Sequence, residues 1–520
     1  VVVDAPAGRL SGVLVDGVHV FKGIPYAQPP VGALRWQPPL PAAKWQGTRD
    51  ATKFGAVCIQ PQGKPDSIYY SIVPTHSEDC LFLNIFAPAQ AKKAPVFFWI
   101  HGGGLSGGWG SDRLYDGTKI ARKGVMVVSI NYRLGPLGFL VHPLLSAESR
   151  RNISGNYGLM DQILALQWVR KNIAAFGGDP ANVTIAGESA GGLSVMYLMA
   201  APGARGLFAK AVAESAYMTS APELRTTGHD QYSGEAIGLS LSRKLGASDL
   251  AGLRAMDAQK ITDVAAATGY SPLFVIDGRI LPRQVVDVFD RGEQAKVPML
   301  VGFNSGEIRT LRSLAPPLPP NAASYEQEIR ARYADLADRF LELYPSNNLQ
   351  ESIWAAARDA MFSWTAERLA IKQTTRGAPA YLYLFDHGYP AADDQGLHGF
   401  HGSELPYVFG TPDRAPPNWP AVPSTPAETA MTGAMLGYWA SFARDGVPTA
   451  AGQPQWQPYG TERNYMAFED VPKPKAHVLP GMYEFNEQVV CRRRAAGGVP
   501  WNWNVGLLSP AMPPRAAQCR

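Results

Sequence analysis

The feature that most constrains this 520-residue chain is a β-branched run that turns, within a few residues, through a glycine-flanked serine into an alanine- and methionine-rich helical pattern. Val183-Thr184-Ile185 leads into Gly187-Glu188-Ser189-Ala190-Gly191, and Gly192 follows. A strand can pass into a helix this abruptly only if the residues two before and two after the serine are nearly free of side chain, and Gly187 and Gly191 meet that demand. The turn lifts Ser189 on a strained backbone where a base can reach its hydroxyl. Ser189 is the candidate nucleophile. The competing reading is a chance glycine–serine turn, and the flanking strand, the helix and the partners found elsewhere in the chain decide against it.

One partner lies upstream. Pro95–Ile100 is apolar on both faces, as a central strand is, and runs directly into His101-Gly102-Gly103-Gly104. Consecutive glycines after a buried strand let backbone N–H groups turn toward one point. Gly103 and Gly104, with Ala190 just after the nucleophile, are the expected donors to the oxyanion of a tetrahedral intermediate.

Apolar strand runs alternate with helical patterns from about residue 95 onward, which predicts one large α/β unit with insertions rather than several domains. A small antiparallel sheet is expected at the N-terminus, from Gly8–Val15 and Val18–Phe21. A helix is expected from Gly158, carrying Leu159, Ile163, Leu166, Val169 and Ile173 at helical spacing and ending at Gly177. Arg133 and Asp161 read as a structural ion pair. The net charge of +4 is too weak a bias to suggest nucleic acid, and no apolar run is long enough for a membrane span. Cys58, Cys80, Cys491 and Cys519 form two sequence-local pairs without a C-x-x-C motif. Local disulfides, 58 with 80 and 491 with 519, are the expectation among three possible connectivities, and free buried thiols are the alternative. Disulfides imply an oxidising compartment, so the protein is expected to be secreted or periplasmic, with any signal peptide already absent. The segment past Cys491, with Arg492-Arg493-Arg494 and the tryptophans and prolines up to Arg520, reads as an irregular, solvated tail.

Ser77-Glu78-Asp79-Cys80-Leu81-Phe82-Leu83-Asn84, the His101–Gly104 run, Asn131-Tyr132-Arg133-Leu134-Gly135 and Gly187–Gly192 together resemble the type-B carboxylesterase family, which includes the cholinesterases. The likeness covers essentially the whole chain. It implies an α/β-hydrolase fold, with a large, mostly parallel central sheet flanked by helices. It also implies a single domain over 1–520, with insertions at about 220–295 and 310–375 walling a gorge. The implied catalysis is a Ser-Glu-His triad working on small ester substrates without cofactor or metal.

In this fold the acid and base follow the nucleophile, in that order, each beyond a strand's carboxyl end. Val297–Asn304 reads as a strand and Glu307 follows it, so Glu307 is the expected acid, with Asp277 as runner-up. Tyr381–Phe385 is another strand, followed by His387, His398 and His401. His401 opens His401-Gly402-Ser403-Glu404-Leu405-Pro406, which resembles the family's histidine segment, whereas His398 reads as a loop histidine. Ser215 holds the position of a family serine near the triad. Glu188, beside the nucleophile, is expected either to tune electrostatics or to be structural.

Tyr270 and Phe274 are expected to line the acyl side. Glu307 is followed by Ile308-Arg309-Thr310-Leu311-Arg312, where the family commonly has small or aromatic residues. If this stretch is helical, Arg309 and Arg312 share a face and suit a substrate carboxylate. Bacterial members of the family hydrolyse tricarballylate esters of fumonisin-type toxins, so such an ester is a candidate; two ordinary surface arginines are the alternative. Two other functions compete with a carboxylic-ester hydrolase. One is a lipase with interfacial activation, which the polar, proline-broken 58–80 loop argues against. The other is a non-catalytic cholinesterase-like binding protein, against which the complete set of catalytic residue types argues.

Overall fold

The computed structural model describes residues 1–501 and 505–519; the tail positions 502–504 and 520 lie outside the described residues. Eleven strands form one sheet among these residues: β1 (Val13–Val15), β2 (Val18–Pro25), β3 (Phe82–Pro88), β4 (Ala94–Ile100), β5 (Met126–Ile130), β6 (Gly178–Glu188), β7 (Lys210–Glu214), β8 (Met299–Asn304), β9 (Ala380–Phe385), β10 (Asn464–Phe468) and β11 (Pro472–Ala476). Their spatial order is β11-β10-β9-β8-β7-β6-β4-β5-β3-β2-β1. The run from β5 to β10 is parallel, and both edges are antiparallel. Every residue of β4, β5, β7 and β8 is buried, which explains why Pro95–Ile100 reads as a continuous apolar run rather than an alternating one. Edge strand β11 is exposed beyond Pro472 and carries Lys473 and Lys475, residues that discourage further strand pairing.

Helices cover both faces. The helix Tyr157–Asn172 carries the chain from β5 to β6, continues as a 3₁₀ turn to Phe176 and stops at Gly177, which takes up a left-handed conformation at φ 85°. The helix Ala190–Ala200 is buried along its whole length. The long helix Pro426–Asp445 packs on the other face with Trp439 and Phe442 in the core. The 220–295 stretch forms the helices Gly234–Leu245, Leu250–Ala255, Ala258–Ala267 and Val285–Asp290. The 310–375 stretch forms Ala322–Tyr333, Ala337–Leu343, Leu349–Arg358 and Trp364–Thr375, the last two joined through a π-turn at Asp359–Ser363.

Two expectations are corrected. The first is that Gly8–Val15 forms one strand of a small N-terminal sheet. The strand breaks at Gly12, where a Cβ would meet the Val20 carbonyl at 2.5 Å. Gly8–Ser11 pairs antiparallel with Val2–Ala5 and parallel with Thr48–Asp50, while Val13–Val15 joins the edge of the large sheet. The second is that the three arginines after Cys491 lie in a solvated turn. They ride the last turns of the helix Met482–Ala496 and tie it to the rest of the chain. Arg492 pairs with Asp335 at 2.7 Å, Arg493 donates to Ser509 Oγ at 2.6 Å, and Arg494 reaches Asp290 at 2.9 Å. Arg133 and Asp161 form the expected buried ion pair, 2.7 Å apart. The disulfides are the two local ones, Cys58–Cys80 and Cys491–Cys519.

Candidate active site

The candidate residues come from loops at the carboxyl ends of β4, β6, β8 and β9. Strands β4 and β6 are neighbours, with Ile100 opposite Gly187, so the glycine loop and the serine turn leave the sheet side by side. Strands β8 and β9 are neighbours as well, with Asn304 opposite Phe385, and this brings the loops carrying Glu307 and His401 together.

At the serine turn the backbone is compressed. Ser189 has φ 57° and ψ −120°, a conformation unfavourable for a residue with a side chain, and its N–H donates to the Glu214 carbonyl at 2.9 Å. A Cβ at Gly187 would lie 2.4 Å from the Gly191 carbonyl carbon, and one at Gly191 would lie 2.0 Å from the Ile100 carbonyl oxygen. Contacts this close admit only glycine, so the sequence spacing has a direct steric cause. In the glycine loop Gly103 has φ 103° and a Cβ there would meet the Gly107 carbonyl at 2.2 Å. Gly103 and Gly104 are exposed toward solvent while Ala190 is buried at the start of its helix. The N–H groups of Gly103, Gly104 and Ala190 find no acceptor among the described residues. Beneath the loop, His101 stacks on Tyr132, with ring centroids 4.5 Å apart, and burial pulls the His101 imidazole down to about 4.

Glu307 is fully buried, and its two oxygens are divided between neighbours. Oε1 accepts from Ser215 Oγ at 2.6 Å and from the Asn304 N–H at 2.8 Å, while Oε2 takes a short hydrogen bond from His401 Nδ1. The two loops are further joined by the Gly306 N–H, which donates to the Gly399 carbonyl at 2.8 Å, and by Asn304 Nδ2, which donates to the Phe400 carbonyl at 2.8 Å. The structure thus brings Glu307, His401 and Ser215 together, and the sequence had singled out each of them.

The other ring nitrogen faces the elbow. His401 Nε2 lies 3.1 Å from Glu188 Oε1, outside hydrogen-bond geometry, and no hydrogen bond links it to Ser189 Oγ among the described residues. Catalytic hydrogen bonds often form only with substrate in place. Burial pulls the His401 imidazole down, but the carboxylates of Glu188 and Glu307 outweigh it and hold it up at about 9. Burial pushes the Glu188 carboxyl up to about 7 against the attraction of His401. Glu214 and Glu404 are also buried here and burial shifts both upward, so this side of the site holds more carboxyl groups than one imidazole can balance.

Two side chains beside His401 escaped the sequence reading. Phe362 packs against the imidazole at a centroid distance of 5.4 Å from within the π-turn, whose extra residue per turn breaks the 3.6-residue periodicity that locates helix faces. Tyr69 leaves the 58–80 loop and donates to the His401 carbonyl at 2.9 Å, with Thr310 Oγ1 2.6 Å from its hydroxyl. The same loop is fastened by Gln60, which exchanges hydrogen bonds with Gly108, and by Asn418, which donates to the Pro65 and Ser67 carbonyls. The tyrosine pair at 69–70 in a polar loop was the available signal for that contact.

Other predicted residues lie elsewhere. Phe274 is a core residue, 2% exposed, wedged against Tyr197 and Phe139, which leaves it no surface for a substrate wall. Tyr270 packs against the separate apolar cluster around Trp36 and Leu137. Asp277, the alternative acid, accepts from the backbone of Arg279, Ile280 and Leu281 and from Asn156, and holds its own turn. Arg309 and Arg312 do share a face, both lying over the Trp354 ring at 5.4 and 5.3 Å. Arg309 is taken up by Glu351 at 2.7 Å and by the Gly396 carbonyl, while Arg312 has no acidic partner among the described residues. Arg312 lines an open depression of about 550 Å³ with Asp66, Ile68, Thr310, Gln395 and Asn418. Thr310, on its wall, is joined to the His401 carbonyl through the Tyr69 hydroxyl. Neither a metal-type cluster of His, Cys, Asp and Glu nor a helix long and apolar enough to cross a membrane occurs among the described residues.

Comparison with known proteins agrees with this fold. The model of the carboxylesterase family matches residues 1–485. The chain is 36% identical over 491 residues to a fumonisin B1 esterase of Sphingopyxis macrogoltabida, covering 89% of this chain and 85% of that one. It is 37% identical over 482 residues to the para-nitrobenzyl esterase of Bacillus subtilis (strain 168), covering 89% and 93%. A solved PNB esterase superposes with a TM-score of 0.80 at 32% identity, covering 93% of this chain and 99% of that one. The chain belongs to the carboxylesterase family, has its α/β-hydrolase fold, and is a carboxylic-ester hydrolase.

Proposed function

We propose that the ester is cleaved through an acyl-enzyme on Ser189. His401 takes the Ser189 proton at Nε2 as Oγ attacks the ester carbonyl carbon, and Glu307 orients the imidazole and balances its charge. The oxyanion accepts from the N–H groups of Gly103, Gly104 and Ala190, each worth about 3 kcal/mol of barrier. Collapse of this intermediate breaks the bond to the alcohol, which leaves with the proton from His401. Water then repeats the sequence and releases the carboxylic acid. The observation that carries the reading is the hydrogen bond between His401 Nδ1 and buried Glu307 beside a strained Ser189. A p-nitrophenyl ester mixed in excess over the enzyme should give a burst of one nitrophenolate per site, absent in Ser189→Ala; a wild type without burst or turnover would remove the proposal.

The finer substrate reading concerns charge. We infer that esters whose acyl part carries a free carboxylate are preferred, as with the tricarballylate esters of fumonisin-type toxins. Arg312 supports this, as a guanidinium in the open depression that has no acidic partner among the described residues and is held only by the Arg309 carbonyl and the Trp354 ring, and so does the fumonisin B1 esterase among the relatives. Arg309, already engaged by Glu351, does not. Comparing kcat/KM for an anionic ester and its methylated analogue tests it: Arg312→Ala should abolish the preference, and an equal ratio in wild type and variant contradicts it. We further propose that 1–520 works as one catalytic unit whose 220–295 and 310–375 segments wall the site. The 58–80 loop, tied down by Gln60, Tyr69 and Asn418, is read as a fixed rim rather than an interfacial lid. The two disulfides support a secreted or periplasmic location.

A further inference from the structure

The loop that delivers His401 contains a second histidine with an arrangement of its own. His398 stands between two carboxylates, with Nδ1 2.8 Å from Asp393 Oδ1 and Nε2 2.9 Å from Asp386 Oδ1. A ring can donate from both nitrogens only as the imidazolium. The clasp is tightly built. Gly388 runs so close that a Cβ there would lie 2.2 Å from Asp393 Oδ1 and 2.4 Å from His398 Nδ1. Asp386 is itself anchored where β9 ends, its N–H donating to the Phe468 carbonyl at 2.8 Å. His398 has a left-handed backbone, φ 47°, and is followed directly by the Gly399 and Phe400 carbonyls that fasten this loop to Gly306 and Asn304 of the acid loop.

We propose that His398, as an imidazolium clasped by Asp386 and Asp393, is a positioning residue that sets the register of the 386–401 loop and thereby holds His401 against Glu307. The inference rests on the reading of His401 as the base. Several charged or titratable groups face the clasp or its carboxylates. Arg358, Lys475 and Tyr465 act on Asp386, and Arg309 holds the Gly396 carbonyl of the same loop while pairing with Glu351. The hydrogen bonds to Asp386 and Asp393 outweigh burial and hold the His398 imidazole up at about 9. Below that pH the clasp is charged and closed; above it, one of the two donations is lost. Loss of the clasp therefore gives kcat an alkaline limb. That limb is opposite in sign to the acid limb from His401, which works as a base only when neutral.

The test is the pH profile of kcat for wild type, His398→Gln and Asp393→Asn, with melting temperature and phosphonate labelling of Ser189 recorded for each. Glutamine is neutral and puts an acceptor oxygen beside its NH2 group, so it cannot reproduce the charge and the two opposed donations of the imidazolium, and His398→Gln should lower kcat about tenfold and lose the alkaline limb while keeping the acid one. Asp393→Asn removes one of the two carboxylates that raise the imidazole, so its alkaline limb should move about one unit to lower pH. A loop merely loosened would lower kcat at every pH without moving that limb. An unmoved limb in Asp393→Asn, or wild-type kcat in His398→Gln, overturns the proposal. Failure of wild type to label at Ser189 would instead remove the triad reading on which it rests.

Discussion

The two halves of the site are built by different means. The half made from β4 and β6 is a matter of backbone: Gly187 and Gly191 are glycines because the Gly191 and Ile100 carbonyl groups occupy the space a Cβ would take, and Gly103 turns through a positive φ. The half made from β8 and β9 is a matter of side chains: Glu307 is held by Ser215 and Asn304, His401 by Glu307, and their loops by Asn304 and Gly306. A backbone device tolerates almost no substitution yet works locally. A side-chain device draws on residues spread along the chain and can be tuned, because each partner shifts the charge on the next.

The sharpest way to break this contrast is to remove one group from each half. Ser189→Ala and His401→Ala should each cut turnover about a millionfold, and the double variant should fall no further, because members of such a set act as a unit. Additive losses in the double variant would mean that the halves work independently. Glu307→Gln keeps the shape of the acid half but takes away its charge, and should cost about ten-thousandfold in kcat with KM little changed.

Removing the Cys58–Cys80 crosslink probes the rim instead. It closes a loop with a sequence separation of 22, and Cys58→Ser with Cys80→Ser should reduce unfolding free energy by about 3 kcal/mol in a denaturant titration. Activity should fall as well, because Tyr69 and Gln60 in that loop touch the histidine and glycine loops. The smallest effect is expected at Glu188. Its carboxylate helps hold His401 up, so Glu188→Gln should move the acid limb of kcat/KM about one unit to lower pH. A limb that stays put would take Glu188 out of the electrostatic account.

The same contrast explains what could be read from the sequence. The serine elbow and glycine loop were legible because steric demands of the backbone are written in adjacent residues. Glu307 and His401 could be put forward, and the hydrogen bond between them expected, because each follows a buried strand and sits in a segment resembling the family's. Phe362 was hidden, because a π-turn leaves no mark in helical periodicity. Phe274 was assigned to a wall because its neighbours in sequence suggested a loop, yet Tyr197 and Phe139 draw it into the core from two other elements. The arginine pair was correctly put on one face, but Glu351, which takes up Arg309, lies 42 residues away and no local pattern announces it. The short strand at Gly8 broke early for a similar reason, the obstructing Val20 carbonyl belonging to a different strand.

The central claim is that Ser189 is the nucleophile and that the side-chain half activates it. The most direct measurement is the rate and site of labelling by a fluorophosphonate in wild type, Ser189→Ala, Glu307→Gln and His401→Ala, read by peptide mass spectrometry. The account predicts one label per chain on the peptide containing Ser189 in wild type, and none in Ser189→Ala. It predicts slower labelling of the same residue in Glu307→Gln and slowest in His401→Ala. A label on any other residue, or an unchanged rate in His401→Ala, would contradict it.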